Sequence, residues 1–307
     1  MTQPQDFTQD SRFQLIRRLN AQVLKHPFDE SVSIDIQHAI AKRILPEAKG
    51  RMIVPTVYGF SMMIDLDRSH AENMQGSIER NLYILGTYEA GTLEVIRRSL
   101  TASDARGTFI EIGAHNGLMS IYAASVGAAK VFSFEPNPPM FETLQANVAL
   151  NNATNITTLP LAIGDKKGVV SIALNPDNSG ATHIVASDNA SVHGIPVDTL
   201  DHVAELEKIT DVRLILMDVE DYENNVLTGA EKIISTYKPD LIIEYNPANP
   251  DDRVTDILKR HGYNVYILEH SRHLPGRLVP FAPTMDSSQV NNYFCFQPER
   301  AKQLGLT

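Results

Sequence analysis

Glu111, Gly113 and Gly117 stand in the run Phe109-Ile110-Glu111-Ile112-Gly113-Ala114-His115-Asn116-Gly117, and a second apolar run ends in Phe134-Glu135-Pro136-Asn137. The first run reads as a buried strand entering a glycine turn that opens a helix. The second places an acid at the tip of the next strand. A glycine at a strand end lets backbone approach a ligand, and a helix N-terminus presents N–H groups to a carboxylate or phosphate. The acid one strand over can accept hydrogen bonds from both hydroxyls of a ribose. Together these residues are suited to holding a nucleoside-bearing cofactor.

The spacing selects among such cofactors. A dinucleotide site asks for Gly-x-Gly-x-x-Gly, the middle glycine making room for a pyrophosphate. Here His115 fills that slot, and Glu111 is hard to place beside a polyphosphate. An acid there suits a cation, and S-adenosylmethionine carries an α-ammonium group. The competing reading is an ordinary βα turn with a solvated glutamate. The strand–helix–strand setting and the second acid, Glu135, favour the cofactor, with His115 and Asn116 in contact with it.

A second group of acids follows the apolar segment 213–218, in Met217-Asp218-Val219-Glu220-Asp221-Tyr222. Carboxylates at the end of a buried strand are costly unless paired, hydrated or used. Asp218 and Glu220 share a side if the strand continues, so one can orient cofactor while the other meets an acceptor. Asp221 has the plainer option of capping a helix that begins near Glu223. An alcohol acceptor must lose a proton, and Asp218, Glu220 and His183 are the candidate bases. Asp218, Glu244 and Asn246 form an alternative ligand set for a divalent cation. The acid and amide are not adjacent, so a metal is disfavoured and none is assigned.

Helices and strands must deliver these groups to one edge. Residues 1–50 read as helical, with Phe13, Ile16, Leu19 and Val23, then Ile36, Ala39, Ile40 and Ile44, at helical spacing. Segment 52–66 reads as a hairpin turning at Tyr58-Gly59, and 77–100 as one or two helices. Strands are predicted at 108–112, 130–134, 156–162, 213–218, 239–244, 262–268 and 292–297, with helices at 117–126, 137–151, 223–236 and 251–261. This alternation predicts an α/β fold with a doubly wound, mostly parallel seven-stranded sheet, its last two strands antiparallel. Residues 1–76 form a helical and hairpin extension and 77–307 the cofactor domain. Within it, 165–200 is an insertion, with strands at 169–174 and 194–200, near the ligand edge.

The chain has 307 residues and a formal net charge of −10, which argues against nucleic acid as a partner. Arg17-Arg18 and Arg97-Arg98 read as solvated helix faces. Cys295 reads as a core thiol, the polar N-terminus lacks an apolar signal core, and no apolar run is long enough to span a bilayer. The expectation is a soluble cytoplasmic protein without membrane partners. Its amphipathic N-terminal helices suit a homodimer interface or a lid.

With these residues in view, segment 75–297 resembles the FkbM family of S-adenosylmethionine-dependent methyltransferases. The resemblance rests on Gly86-Thr87-Tyr88-Glu89, the Glu111–Gly117 run, Phe134-Glu135-Pro136-Asn137, Ala162-Ile163-Gly164-Asp165-Lys166-Lys167-Gly168, Asn178-Ser179-Gly180, Val197-Asp198-Thr199-Leu200-Asp201 and Met217-Asp218-Val219-Glu220, in that order. It implies a class I methyltransferase, Rossmann-like fold and a hydroxyl acceptor on a saccharide or small natural product. It further implies cofactor contacts from Glu111, Gly113, Gly117 and Glu135. Ala162 or Asp165 would lie near adenine, and Asp218 near the methionine part or the acceptor. Two departures stand out: His115 replaces a common asparagine, and Asp221 replaces the glycine of Asp-x-Glu-Gly. Methylation of nitrogen on a protein or small molecule, and a cofactor-binding partner subunit without activity, remain as alternatives. The Asn/Asp-Pro-Pro-Tyr signature of base-directed amino methyltransferases is absent.

Overall fold

Continuous apolar runs need cover on both faces, and these runs supply the centre of the protein. The computed structural model describes residues 3–25, 30–68, 77–102, 107–173, 183–185, 194–244, 253–269, 274–282 and 292–306. The N-terminal part comprises β1 (Gln5–Asp6), α1 (Ser11–Lys25), α2 (Glu30–Ile44), β2 (Arg51–Pro55), β3 (Ser61–Asp65), α3 (Ile78–Ile84) and α4 (Ala90–Thr101). Then come β4 (Thr108–Ile112), α5 (Leu118–Val126), β5 (Lys130–Phe134), α6 (Pro138–Leu150), β6 (Ile156–Leu159), β7 (Ala162–Ile163), β8 (Gly168–Ala173), β9 (His183–Val185) and β10 (Gly194–Asp198). The remainder is α7 (Leu200–Leu206), β11 (Val212–Met217), α8 (Glu223–Thr228), α9 (Glu231–Tyr237), β12 (Asp240–Glu244), α10 (Arg253–Arg260), β13 (Asn264–Leu268), β14 (Leu278–Pro280), β15 (Asn292–Phe296) and α11 (Pro298–Gln303).

The main sheet has eight strands in the order β14-β13-β15-β12-β11-β4-β5-β6. Neighbours from β12 to β6 pair in parallel, while β15 runs antiparallel to both β12 and β13. This is the expected doubly wound, mostly parallel arrangement, with short β14 added at the edge. Strand alternation sends Ile110 and Ile112 to a core under α7–α10, and Phe109 to a core under α4, α5 and α11. Glu111 shares the Phe109 face, so its carboxyl points beneath α5 rather than into solvent.

Three local expectations change. The strand expected over 156–162 divides: β6 ends before Pro160, which has no N–H to continue a ladder, and β7 pairs instead with β10 in a separate four-stranded sheet. The helix expected over 223–236 breaks at Gly229-Ala230, because the Asp201 carboxylate accepts from the N–H groups of Lys232 and Ile233 (2.8 and 2.9 Å) and so starts α9 afresh. Strand β10 stops at Asp198, since Thr199 accepts from His202 N and caps α7 from Leu200 onward.

The N-terminal helices pack part of their apolar surface inward, while Leu15, Leu19 and Ile36 stay exposed. Phe13 and Ile16 join the hairpin residues Met52, Val54, Met62 and Ile64, and this cluster sits on Leu118 and Ile121 of α5. Asn147 of α6 pins strand β3 by accepting from Met63 N and donating to Met63 O (2.6 and 3.1 Å). Arg97 pairs with Glu94 at the surface, whereas Arg17 overturns the expectation of a solvated face. It is 4% exposed, and its guanidinium donates only to main-chain carbonyls. Cys295 is fully buried. Among the described residues, no helix is long and apolar enough to cross a membrane.

Candidate active site

Strand order reverses between β4 and β11, the place where open α/β sheets leave a crevice at their carboxyl ends. A cavity opens there, lined by Glu111, Gly113 and His115 at β4, Asp218 at β11 and Glu244 at β12. Gly113 has φ +86, and a Cβ on it would lie 1.9 Å from the Asp218 carbonyl oxygen. The glycine therefore serves the close approach of the turn to β11, rather than ligand approach alone.

Glu135 organises the turn. Its carboxylate accepts from His115 N (2.7 Å) and from Asn137 N at the start of α6 (2.8 Å). Burial pushes its pKa up to about 7, against the pull of those two N–H groups. Each oxygen keeps a second lone pair for a hydroxyl. Beneath the turn, Glu111 accepts from the Ser120 hydroxyl, which also meets the Ser133 hydroxyl at 2.6 Å. Burial pushes Glu111 up to about 8; the Ser120 bond opposes the rise and the nearby Glu135 charge adds to it. Asn116 is buried in the same lining. Its Oδ1 accepts from Leu118 N (3.1 Å) and its carbonyl accepts from Asn147 Nδ2 (2.9 Å). Its Nδ2 has no partner among the described residues, a donor available to a carboxylate. Gly117, at φ +83, precedes the first turn of α5.

At the other side of the cavity stand more acids. Asp218, Glu220 and Glu244 each offer an oxygen, all within 4.8 Å of one another. Strand alternation is not the cause: β11 ends at Met217, and Glu220 (φ +49) and Asp221 (φ +71) form a left-handed turn that folds Glu220 back. The N-cap of α8 is Tyr222, so Asp221 stands one residue ahead of the cap position. Both departures from the family pattern, His115 (φ +48) and Asp221, thus fall where asparagine and glycine adopt positive φ at least cost. Asn246, the third ligand expected for a metal, lies outside the described residues.

Two acids that carried no role in the sequence belong here. Glu223 is 3% exposed, and burial pushes its pKa up to about 7, with the charges of Glu244 and Asp221 adding. Glu89 lines the cavity at φ +48, and its Oε2 accepts from Thr92 Oγ1 (2.9 Å) and Asn292 Nδ2 (3.2 Å). The run Gly86-Thr87-Tyr88-Glu89 was a signal, but its partner Asn292 lies 203 residues away.

Other expected residues sit apart from this lining. Ala162 is in β7, and Asp165 follows it close enough for its charge to raise the pKa of the Tyr222 hydroxyl, after burial. Pro136 and Asn137 lead into α6, and Asn137 Oδ1 is buried without a partner among the described residues. His183 lies in β9, opposite Ala173 of β8, in the smaller sheet. Segment 178–180 is outside the described residues.

The cavity is thus lined by a buried acid, Glu111, an amide donor, Asn116, and the carboxylates of Glu89, Asp218 and Glu244, with Glu135 holding the adjoining turn from outside the lining. Comparison with known proteins agrees in class. A family model described as the methyltransferase FkbM domain matches residues 111–265. Hexuronic acid methyltransferase AglP of Haloferax volcanii is 24% identical over 184 residues, covering 59% of this chain and 74% of that protein. Methyltransferase sdnD of Sordaria araneosa is 22% identical over 189 residues, covering 51% and 73%. A crystal structure of methyltransferase FkbM from Methylobacillus flagellatus is 20% identical with a TM-score of 0.41. That match covers 75% of this chain and 56% of that one, so the chain spans little more than half the length of that neighbour.

Proposed function

Because this chain belongs to the FkbM methyltransferase family, we propose that it transfers the methyl group of S-adenosylmethionine to a hydroxyl on a saccharide or small natural product. The observation that carries the reading is the turn that Glu135 holds through His115 N and Asn137 N beside the cavity lined by Glu111 and Gly113, with a histidine in the slot where a dinucleotide motif has its second glycine. The donor set fits the cofactor: Glu135 faces ribose hydroxyls, ionised Glu111 balances an ammonium, and the orphaned Asn116 Nδ2 meets a carboxylate. S-adenosylmethionine, when bound, supplies an electrophilic methyl group. The chain's own residues align the acceptor and take its proton, and positioning of this kind is worth about 7–11 kcal/mol.

Asp218 and Glu220 are the proposed proton acceptors, at the end of β11 beside the strand β4 that carries Glu111 and Gly113. The hexuronic acid named for the archaeal relative supports a sugar-type acceptor, and the −10 charge favours a small acceptor over nucleic acid. We place the protein in the cytoplasm, where its buried lone cysteine stays reduced.

Isothermal calorimetry with S-adenosylmethionine and with NAD tests the donor. Binding of NAD alone, or of neither, defeats the proposal. Mass spectrometry of cell extracts and glycans with and without the gene then seeks an acceptor gaining one methylene. Transfer is expected to persist in excess chelator; a loss restored by one divalent ion would place that ion on Asp218, Glu220 and Glu244.

A further inference from the structure

The last turn of a helix leaves four carbonyls without intrahelical partners. In α3, Leu82 O accepts locally from Gly86 N (3.1 Å), and the carbonyls at the helix end are also met by donors some 65 residues away in sequence. Arg17 donates to Leu82 O, Tyr83 O and Ile84 O (each 2.8 Å), and Asn20 Nδ2 donates to Leu85 O (2.8 Å). The same guanidinium reaches Pro55 O of the hairpin at 2.6 Å. A fixed fork with five N–H donors can do this; a lysine cannot. Gly86 follows at φ +75, and a Cβ on it would come 2.3 Å from Arg17 Cδ and Nε. Two further struts come from the hairpin: Val57 N donates to Gly86 O (2.9 Å), and the Tyr58 and Thr87 hydroxyls meet at 2.6 Å.

What the clamp holds is a wall of the cavity. Tyr88 and Glu89 come directly after it and, with Ile78 of α3, line the pocket. Glu89 occupies a left-handed conformation that a glutamate does not adopt without enforcement. Its carboxylate crosses to Asn292, whose strand β15 lies four strand spacings, about 19 Å, from β5 and the ribose acid Glu135. The wall therefore stands at the end of the site remote from the ribose.

We propose that the N-terminal extension completes the donor site, with Arg17 as a positioning residue that holds the Tyr88–Glu89 wall against the amino-acid end of the bound donor. The inference rests on the donor reading above and adds that residues ahead of the sheet determine recognition of the amino-acid tail. A guanidinium buried this thoroughly could serve stability alone, so the two roles must be separated by ligand chemistry.

The test is calorimetry on the full chain with two probes, S-adenosylhomocysteine and 5′-methylthioadenosine, which lacks the amino-acid tail. Arg17→Met should raise the dissociation constant for S-adenosylhomocysteine about tenfold and leave that for methylthioadenosine within about twofold, with Arg17→Lys intermediate. Tyr58→Phe, which deletes one hydroxyl and keeps the ring, should act in the same direction by about threefold and serves if the arginine variants do not fold. Leu258→Ala, in the core cluster under α7–α10 that holds no residue of the clamp, should lower the melting temperature without changing either affinity. Equal weakening of both probes, or unchanged affinity for both in folded variants, overturns the positioning role. A wild-type chain that binds neither nucleoside refutes the donor reading itself, and the clamp's part in it falls as well.

Discussion

Replacing Glu111 with glutamine probes the acid beneath the glycine turn. Glu111 is 2% exposed, and burial carries its pKa from 4.5 to about 8. Between those values the unfolded chain has lost the proton and the native protein keeps it, so native stability falls as pH rises. The loss is absent below pH 4.5, grows up to pH 8 and is constant above. At about 1.4 kcal/mol per pH unit it reaches roughly 3 kcal/mol at pH 7 and roughly 5 kcal/mol above pH 8. Glutamine cannot ionise and still offers an oxygen to the Ser120 hydroxyl. Urea unfolding of wild type and Glu111→Gln at pH 5, 6, 7 and 8 should therefore show the variant gaining relative stability with each step. Glu135 and Glu223, both pushed to about 7 by burial, tilt the two curves alike, so the difference isolates Glu111. Parallel stability curves would mean that Glu111 is ionised in the native state at neutral pH, and would refute the reasoning. The donor supplies a second readout. An ammonium paired with ionised Glu111 should tighten wild-type binding by up to about tenfold per pH unit toward pH 8. The glutamine variant should bind more weakly and lack the part of that rise that Glu111 supplies.

Glu135→Ala should weaken S-adenosylmethionine binding at least about tenfold in calorimetry, since it removes the ribose acceptor and strands the N–H groups of His115 and Asn137; unchanged affinity would remove its ribose role. Glu220→Gln should leave donor affinity intact, and of Asp218→Asn and Glu220→Gln the one that removes the base should cost about 10²–10⁴-fold in turnover. Full activity in both variants would move proton transfer elsewhere. Asp221→Gly should stabilise the fold by roughly 0.5–1 kcal/mol in urea unfolding, because φ +71 suits glycine. A lower midpoint would show that the Asp221 side chain contributes more than its backbone costs.

The local pattern of this sequence determined the sheet and the donor end of its site. Glu111 and Gly113 fall within three residues on one strand–turn unit, and Glu135 ends the next parallel strand, so strand periodicity and glycine spacing place all three. Each needs only neighbours in sequence and the pairing of β4 with β5. The opposite end could not be read this way. Glu89 is aimed by Asn292, and Arg17 satisfies the end of α3, through contacts of 203 and about 65 residues that leave no periodic trace. The carboxylates of Asp218, Glu220 and Glu244 do come together as strand continuation suggested, but through a turn with two consecutive positive φ values rather than through a longer strand. Glu223 reads only as the first residue of a helix, and its burial comes from tertiary packing. Local sequence sets periodicity and turn chemistry, whose signals span a few residues. Burial, the pKa values that follow from it and the meeting of distant side chains arise only when the sheet, its helices and the N-terminal extension exclude water together.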